Sequence, residues 1–186
     1  MLILFIRIVI IAVCLVFLTG MQIGFSPGRG HVIFRGLLLG SIVAAVGAAV
    51  YFGWAVQEPT PWLAAPGAVL AAAGCGLFVW CLRYHPGRPG KAFAADPPPA
   101  ILSGGPYLLA RHPIYLSYVL ALGGVALLAH SWAVAGLGVW MTALYLYAAW
   151  VEEQLILASQ NAAGYAAYMR RVGPFWPKLT GDRGPQ

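Results

Sequence analysis

Long uninterrupted apolar runs constrain this chain more than any other feature. Five of them, at roughly 2–23, 33–56, 62–82, 113–129 and 132–150, reach or approach the length a helix needs to cross hydrocarbon, about 20 residues. Composition agrees: of 186 residues 61% are hydrophobic and 9% charged, where soluble domains carry about 25% charged residues. Polarity does not alternate with period two, which argues against a transmembrane barrel. The expected fold is all-α: a polytopic transmembrane helix bundle of about five spans with a C-terminal interfacial helix.

The first stretch reads as a retained span, because six residues precede the first charge, Arg7, and no Ala-x-Ala site follows before Gly20. Lysine and arginine set the orientation. Arg29 and Arg35 flank the first connection, Arg83, Arg88, Lys91 and Arg111 occupy the third, and Arg170, Arg171, Lys178 and Arg183 lie in the tail. The second and fourth connections carry none. The expectation is an N-terminus outside and a C-terminus in the cytoplasm, in the inner membrane of a bacterium or the endoplasmic reticulum of a eukaryote. The net charge of +6 follows from this bias and from attraction to anionic headgroups, with no nucleic acid required.

Cys14, Cys75 and Cys81 fall inside spans and suggest neither a zinc site nor a disulfide; no metal is expected. Small residues recur at Gly36/Gly40/Ala44/Ala48 and at Gly67/Ala71 with Gly74-Cys75-Gly76, stripes that let helices approach closely within the bundle or across a dimer face. Residues 1–82 read as a three-span scaffold. Residues 83–186 hold nearly all the polar chemistry: a cytoplasmic loop, a helical hairpin and a C-terminal helix spanning 151–171. The proline-rich loop 83–111 reads as a lid or a cofactor-binding loop.

Ionisable groups beside apolar spans mark function by default. Gly104-Gly105-Pro106-Tyr107 and Arg111-His112-Pro113-Ile114-Tyr115 precede the fourth stretch, and Glu152-Glu153 follow the fifth. Pro113 suits the first turn of a helix and pushes His112 to extended backbone. Arg111 and His112 then stand at the positive end of that helix as an anion cradle. Gly104 and Gly105 allow close backbone approach to a ligand. Tyr107 and Tyr115 offer aromatic faces to a flat ring or a sulfonium, and the acid pair accepts bonds from an ammonium or ribose hydroxyls. A soluble nucleotide-binding fold is excluded, since no Gly-x-Gly-x-x-Gly follows a strand.

Gly105-Pro106-Tyr107, Arg111-His112-Pro113-x-Tyr115, Glu152-Glu153 and Tyr165-x-x-Tyr168-x-x-Arg171-Val172 together resemble the superfamily of isoprenylcysteine carboxyl methyltransferases and phospholipid methyltransferases, over residues 101–177. The resemblance implies an integral membrane methyltransferase that uses S-adenosylmethionine on a membrane lipid or lipidated acceptor. Its implied cofactor contacts are Gly104, Gly105, Tyr107, His112, Tyr115, Glu152 and Glu153. Arg111 and Glu152 are the implied catalytic residues, Arg111 holding the cofactor or an acceptor carboxylate. Ala148-Ala149-Trp150-Val151 stand where prenylcysteine-esterifying members often carry arginine, and Asn161-Ala162 replace a usual Phe-Gly. A groove for the lipid chain is expected along Leu116, Val119, Leu120 and Trp140. The alternatives are a small membrane reductase using NADPH on a sterol-type substrate, and a non-catalytic binding or assembly protein. Oligomeric state is not legible.

Overall fold

The structure, a computed structural model, describes residues 1–24, 32–55, 60–85 and 101–176. Six helices follow in order: α1 (Leu2–Gly24), α2 (Val32–Ala55), α3 (Pro61–Tyr84), α4 (Pro113–Ala129), α5 (Trp132–Leu157) and α6 (Ala162–Arg171). A 310 turn, Gly105–Leu108, precedes α4. Of the loop expected over 83–111, residues 83 and 84 belong to α3 and residues 86–100 lie outside the described residues.

Of these helices α1, α2, α3 and α5 are long and apolar enough to cross a membrane. The fourth expected span, α4, is apolar but only 17 residues long. At 1.5 Å per residue it reaches about 26 Å, short of the roughly 30 Å hydrocarbon core. The structure thus supplies four full-length spans and one short one. The expected helix over 151–171 is also corrected. α5 runs on to Leu157, so the acid pair belongs to α5 itself, and α6 is a separate helix. The break has a local cause: Ser159 Oγ donates to the Ile156 carbonyl at 2.7 Å and accepts the Asn161 N–H at 3.1 Å. A side chain thereby competes for groups that would continue the helix.

Side-chain sizes are inverted relative to a soluble protein. Leu4, Ile8 and Leu15 of α1 and Leu39 and Val43 of α2 face outward, while Ala45, Ala49, Ala71 and Ala121 are buried. Lipid is as apolar as leucine, so helix association rests on close packing and small residues collect at the contacts. The tightest seam joins α3 to α4. A methyl added at Gly74 would lie 2.7 Å from the Ser117 carbonyl oxygen, and one at Gly124 would lie 2.5 Å from the Ala71 nitrogen. The stripe through Gly67, Ala71 and Gly74 is therefore internal. That of Gly36 and Gly40 is not, for nothing stands within 4 Å of a methyl built on either.

Successive helices alternate in direction, which gathers their ends into two groups. At the end away from the acid pair, Arg7 Nη2 donates to the Trp54 carbonyl at 2.8 Å and the guanidinium lies 4.8 Å from the Trp54 ring centre. The cation thereby caps the C-terminus of α2, the negative end of its dipole. The α4–α5 hairpin turns there through His130, whose φ of 46° is left-handed and whose Nδ1 lies 3.3 Å from Thr60 Oγ1. At the opposite end lie the first turn of α4, the last turns of α5, the 310 turn and α6.

Candidate functional site

The site is assembled by the register of the α4–α5 hairpin. Pro113 starts α4 and His112 occupies its N-cap position without capping it through its side chain. Counted from the hairpin turn, Glu152 and Glu153 lie about one helical turn beyond the level of Pro113, level with Arg111 and His112.

Glu153 is the hub. His112 Nε2 lies 2.9 Å from its Oε1 and Arg111 Nε lies 3.0 Å from the same oxygen. The Arg111 Nε–H has no aligned acceptor, so this second contact is an ion pair by proximity rather than a directed hydrogen bond. The two side chains are 8% and 12% exposed. Arg111 Nη1 also reaches the carbonyls of Val172 and Met169 at 3.3 and 3.4 Å. The backbone N–H groups of Arg111 and His112 donate to the Gly173 and Pro174 carbonyls at 2.9 and 3.0 Å. The C-terminal segment is thus laced to the start of α4, and the Phe175 ring comes to 6.1 Å from that of His112.

Glu152 is held differently. Its Oε1 accepts the Tyr115 hydroxyl at 2.5 Å. Its Oε2 stands 3.7 Å from His112 Nδ1, beyond hydrogen-bond reach, and its side chain is 29% exposed. The arginine is neutralised by Glu153, so Glu152 is the carboxylate without a full counterion. The anion cradle expected for a ligand holds the protein's own Glu153, which leaves Glu152 over.

Tyr115 begins an aromatic row that descends into the bundle. Its ring is stacked with those of His112 and Tyr145, with centroids 5.7 and 5.3 Å apart. Tyr118 follows at 5.1 Å from Tyr145, then Phe17 at 5.3 Å from Tyr118. Tyr145 is missing from the sequence expectation although its spacing signals it. Tyr145, Ala148, Ala149 and Glu152 fall at i, i+3, i+4 and i+7, one face of α5. The carbonyls of residues 169–174 left no such signal, because a backbone acceptor does not depend on side-chain identity.

Arg111, His112, Tyr115, Glu152 and Glu153 are therefore brought together. Gly104, Gly105 and Tyr107 make their close contacts with the end of α3 and with α6 rather than with this cluster. Gly105 has φ of 56°, and a methyl there would lie 2.5 Å from the Tyr84 ring; a methyl on Gly104 would strike the Tyr84 hydroxyl. What approaches the two glycines closely is thus the end of α3. The Tyr107 carbonyl accepts the Tyr168 hydroxyl at 2.6 Å and its side chain packs with Tyr165, Tyr168 and Val172. Burial pushes the Tyr168 phenol up to about 12 and the Tyr107 and Tyr165 phenols higher, so these groups stay neutral and tie α6 down as donors or packing.

Leu116, Val119, Leu120 and Trp140 do not line the cleft in the bundle interior. It is bounded instead by Phe17 of α1, Ala45 of α2, Tyr118 and Val125 of α4, and Met141 and Tyr145 of α5. Trp140 sits on the outer surface, where its Nε1 donates to Ser41 Oγ at 2.9 Å. Among the described residues no group of three or more His, Cys, Asp or Glu side chains is placed to hold a metal ion.

The site is thus an acid pair, a histidine and stacked tyrosines gathered at one end of a membrane helix bundle. The phospholipid methyltransferase family profile matches residues 62–159, more than half of the chain and every element from α3 to α5, and the chain belongs to that family. It is therefore a multi-pass membrane protein of a methyltransferase family. Among curated proteins it is 30% identical over 147 residues to the cobalt-zinc-cadmium resistance protein CzcN of Cupriavidus metallidurans, covering 77% of this chain and 63% of that one. It is 28% identical over 102 residues to the nickel-cobalt-cadmium resistance protein NccN of Alcaligenes xylosoxydans xylosoxydans, covering 55% and 44%. A UPF0060 membrane protein of Chromohalobacter salexigens is 32% identical over 92 residues, covering 42% of this chain and 76% of that one. The chain thus spans less than two thirds of the length of the two resistance proteins. No solved structure matches it significantly.

Proposed function

We propose that the chain transfers a methyl group from S-adenosylmethionine to a lipid-like or prenylated acceptor, with the donor held at the Tyr115–Glu152 side of the site on the cytoplasmic face. The observation that carries this is the charge of the site: Glu152 is partly exposed and lacks a full counterion beside stacked aromatic rings. That donor set fits a ligand bearing an ammonium and a sulfonium, the one by ion pairing and the other by contact with ring faces.

When bound, the donor supplies an electrophilic methyl on sulfur. The chain's own residues then have few tasks: to align the partners and to exclude water. Tyr115, fixed by its bond to Glu152 Oε1, orients the carboxylate. Glu152 Oε2 is free to pair with the ligand's ammonium or to take the proton of an amine or hydroxyl acceptor. His112 stands between the two acids. Arg111 and Glu153 hold the C-terminal segment over this side, and Gly104, Gly105 and Tyr107 shape its rim.

Calorimetric titration of the detergent-purified chain with S-adenosylmethionine, S-adenosylhomocysteine and NADPH tests this. Saturable binding of both adenosyl compounds, lost in His112→Ala and Glu152→Gln, is the expected result. A response to NADPH alone, or none in folded protein, rejects it in favour of a reductase or a non-catalytic membrane protein.

A further inference from the structure

We propose that His112 is the proton store of the site: a proton that an acceptor loses to Glu152 Oε2 passes on to His112 Nδ1, and Glu153 is the positioning residue that keeps Nδ1 bare to receive it. The acceptor's part in this rests on the methyltransferase reading, and the placement of the protons on the geometry of the three side chains alone.

The imidazole lies between the two acids, and its nitrogens face them unequally. Nε2 stands 2.9 Å from Glu153 Oε1, the length of a hydrogen bond to a charged acceptor. A carboxylate can only accept there, so Nε2 carries a proton. Nδ1 stands 3.7 Å from Glu152 Oε2. A protonated Nδ1 would draw that carboxylate in to about 2.7–2.9 Å, and Glu152, with its side chain 29% exposed, is not packed against such a closure. The wide gap is the spacing of two acceptors. The ring is therefore neutral, with its proton on Nε2 and the Nδ1 lone pair turned to Glu152, an arrangement in which a carboxylate on one nitrogen sets the role of the other. Stacking with Tyr115, at 14° between the ring planes, holds its aim.

Glu152 supplies the other half. Oε1 is engaged by the Tyr115 hydroxyl, which leaves Oε2 to take a proton. Once it holds one, Oε2 becomes a donor facing a bare acceptor, and a closure of about 1 Å makes the hydrogen bond. In their ordinary states imidazole is the stronger base of the two by about two pKa units, so the proton moves to Nδ1 and the carboxylate is restored. The bond broken is the acceptor's N–H, O–H or S–H, and the bond formed is Nδ1–H. Arg111 set against Glu152 and Glu153 leaves the site one negative charge, which the imidazolium cancels. The other groups around the ring do not take this proton. Arg111 is permanently charged, Tyr115 already donates to Glu152, α6 brings the neutral phenols Tyr165 and Tyr168, and the C-terminal segment brings Phe175.

The test is nitrogen-15 and carbon-13 NMR of the full chain in nanodiscs with histidine and glutamate labelled, His112 and Glu152 being assigned by the signals lost in His112→Gln and Glu152→Gln. At neutral pH His112 is expected to show a protonated Nε2 and a bare Nδ1, that tautomer being in excess by about tenfold or more. Glu153→Gln, whose amide oxygen still accepts, keeps the excess. Arg111→Met with Glu153→Met, which strands no charge, lowers it several-fold. On acidification the next proton is expected on Nδ1 while the Glu152 carboxyl signal stays that of an ionised group. A proton on Nδ1 at neutral pH, a tautomer indifferent to the double variant, or a Glu152 carboxyl that protonates before Nδ1 overturns the inference. S-adenosylmethionine binding, measured by calorimetry on the same samples, separates the two readings. The expected order of protonation without donor binding leaves the His112 store standing and removes the methyltransferase reading; donor binding with Glu152 protonated first does the reverse.

Discussion

Replacing Arg111 by methionine tests whether this guanidinium fastens the C-terminal segment rather than contacting a ligand. Methionine keeps the packing of the stem and removes the charge. Both members of the Arg111–Glu153 pair are largely buried, at 8% and 12% exposure, and stripping one partner from a buried pair costs about 3–5 kcal/mol. Two features adjust that figure. His112 Nε2 remains 2.9 Å from the same Glu153 oxygen and partly satisfies the stranded carboxylate. The contacts to the Val172 and Met169 carbonyls, at 3.3 and 3.4 Å, are longer than ordinary N–H···O bonds and add little. A loss of about 2–3 kcal/mol remains, which is roughly a thirty- to 150-fold change in a local opening equilibrium.

The backbone bonds from Arg111 and His112 to Gly173 and Pro174 and the Tyr168–Tyr107 bond stay in place. The loss should therefore appear in residues 162–172 and not in α3 or α4. Hydrogen exchange followed by mass spectrometry reads this directly. Amides of α6 should exchange faster by about that factor in Arg111→Met, and the double variant Arg111→Met with Glu153→Met should recover about half of the loss, because no carboxylate is left stranded. If α6 exchanges at the wild-type rate while S-adenosylmethionine binding disappears, the fastening role is wrong and Arg111 is a ligand contact.

Glu152→Gln should lower donor affinity about tenfold or more in calorimetry with the melting temperature little changed, whereas Glu153→Gln should mainly lower the melting temperature by leaving Arg111 uncompensated. Gly105→Ala should cost about 1–2 kcal/mol for its left-handed backbone and more for its collision with Tyr84; Tyr84→Leu should restore only the second part of the loss in thermal unfolding. Gly104→Ala, whose obstacle is the Tyr84 hydroxyl, should be rescued by Tyr84→Phe. Gly124→Val should abolish a folded monodisperse peak in size-exclusion chromatography, since its new atoms meet the α3 backbone, while Gly40→Val should elute as wild type because its surroundings are open.

The helical architecture was legible because hydrocarbon demands length and apolarity, which residue identity records directly. The boundaries were less so. α4 and its hairpin turn at His130-Ser131 were readable, but α5 overran its apolar stretch to Leu157, since Val151–Leu157 remains helical after hydrophobicity falls. The cluster Arg111, His112, Tyr115, Glu152 and Glu153 was legible as costly charge placed beside spans. Its internal geometry was not. Sequence offered Arg111 and His112 as a cradle for a ligand's anion, and only the positions of α4 and α5 reveal that Glu153 already fills it. Likewise the glycines of 104–105 were read for ligand approach, when the ring that approaches them comes from Tyr84, a residue twenty positions earlier whose side-chain direction no local pattern gives.

The short α4 explains why such chemistry can stand at a membrane edge at all. A helix of 17 residues ends a few ångströms inside the hydrocarbon boundary, so its unsatisfied N-terminal N–H groups and the residues before it would face lipid. Unpaired backbone and charge there are untenable. α5, nine residues longer, carries two carboxylates back to that depth, and α6 with residues 172–176 covers the exposed side through backbone bonds and Phe175. Arg111, His112 and Glu153 thereby neutralise one another where α4 stops short. Glu152 exceeds what that neutralisation needs. It is the one acid of the pair held by a neutral hydroxyl instead of a cation, and it lies at the top of the aromatic row that leads to the apolar cleft. On the proposed reading, a cationic donor would reach this carboxylate from the aqueous side and a lipid-like acceptor would reach it from the bilayer, so neither would have to cross the barrier that the other comes from.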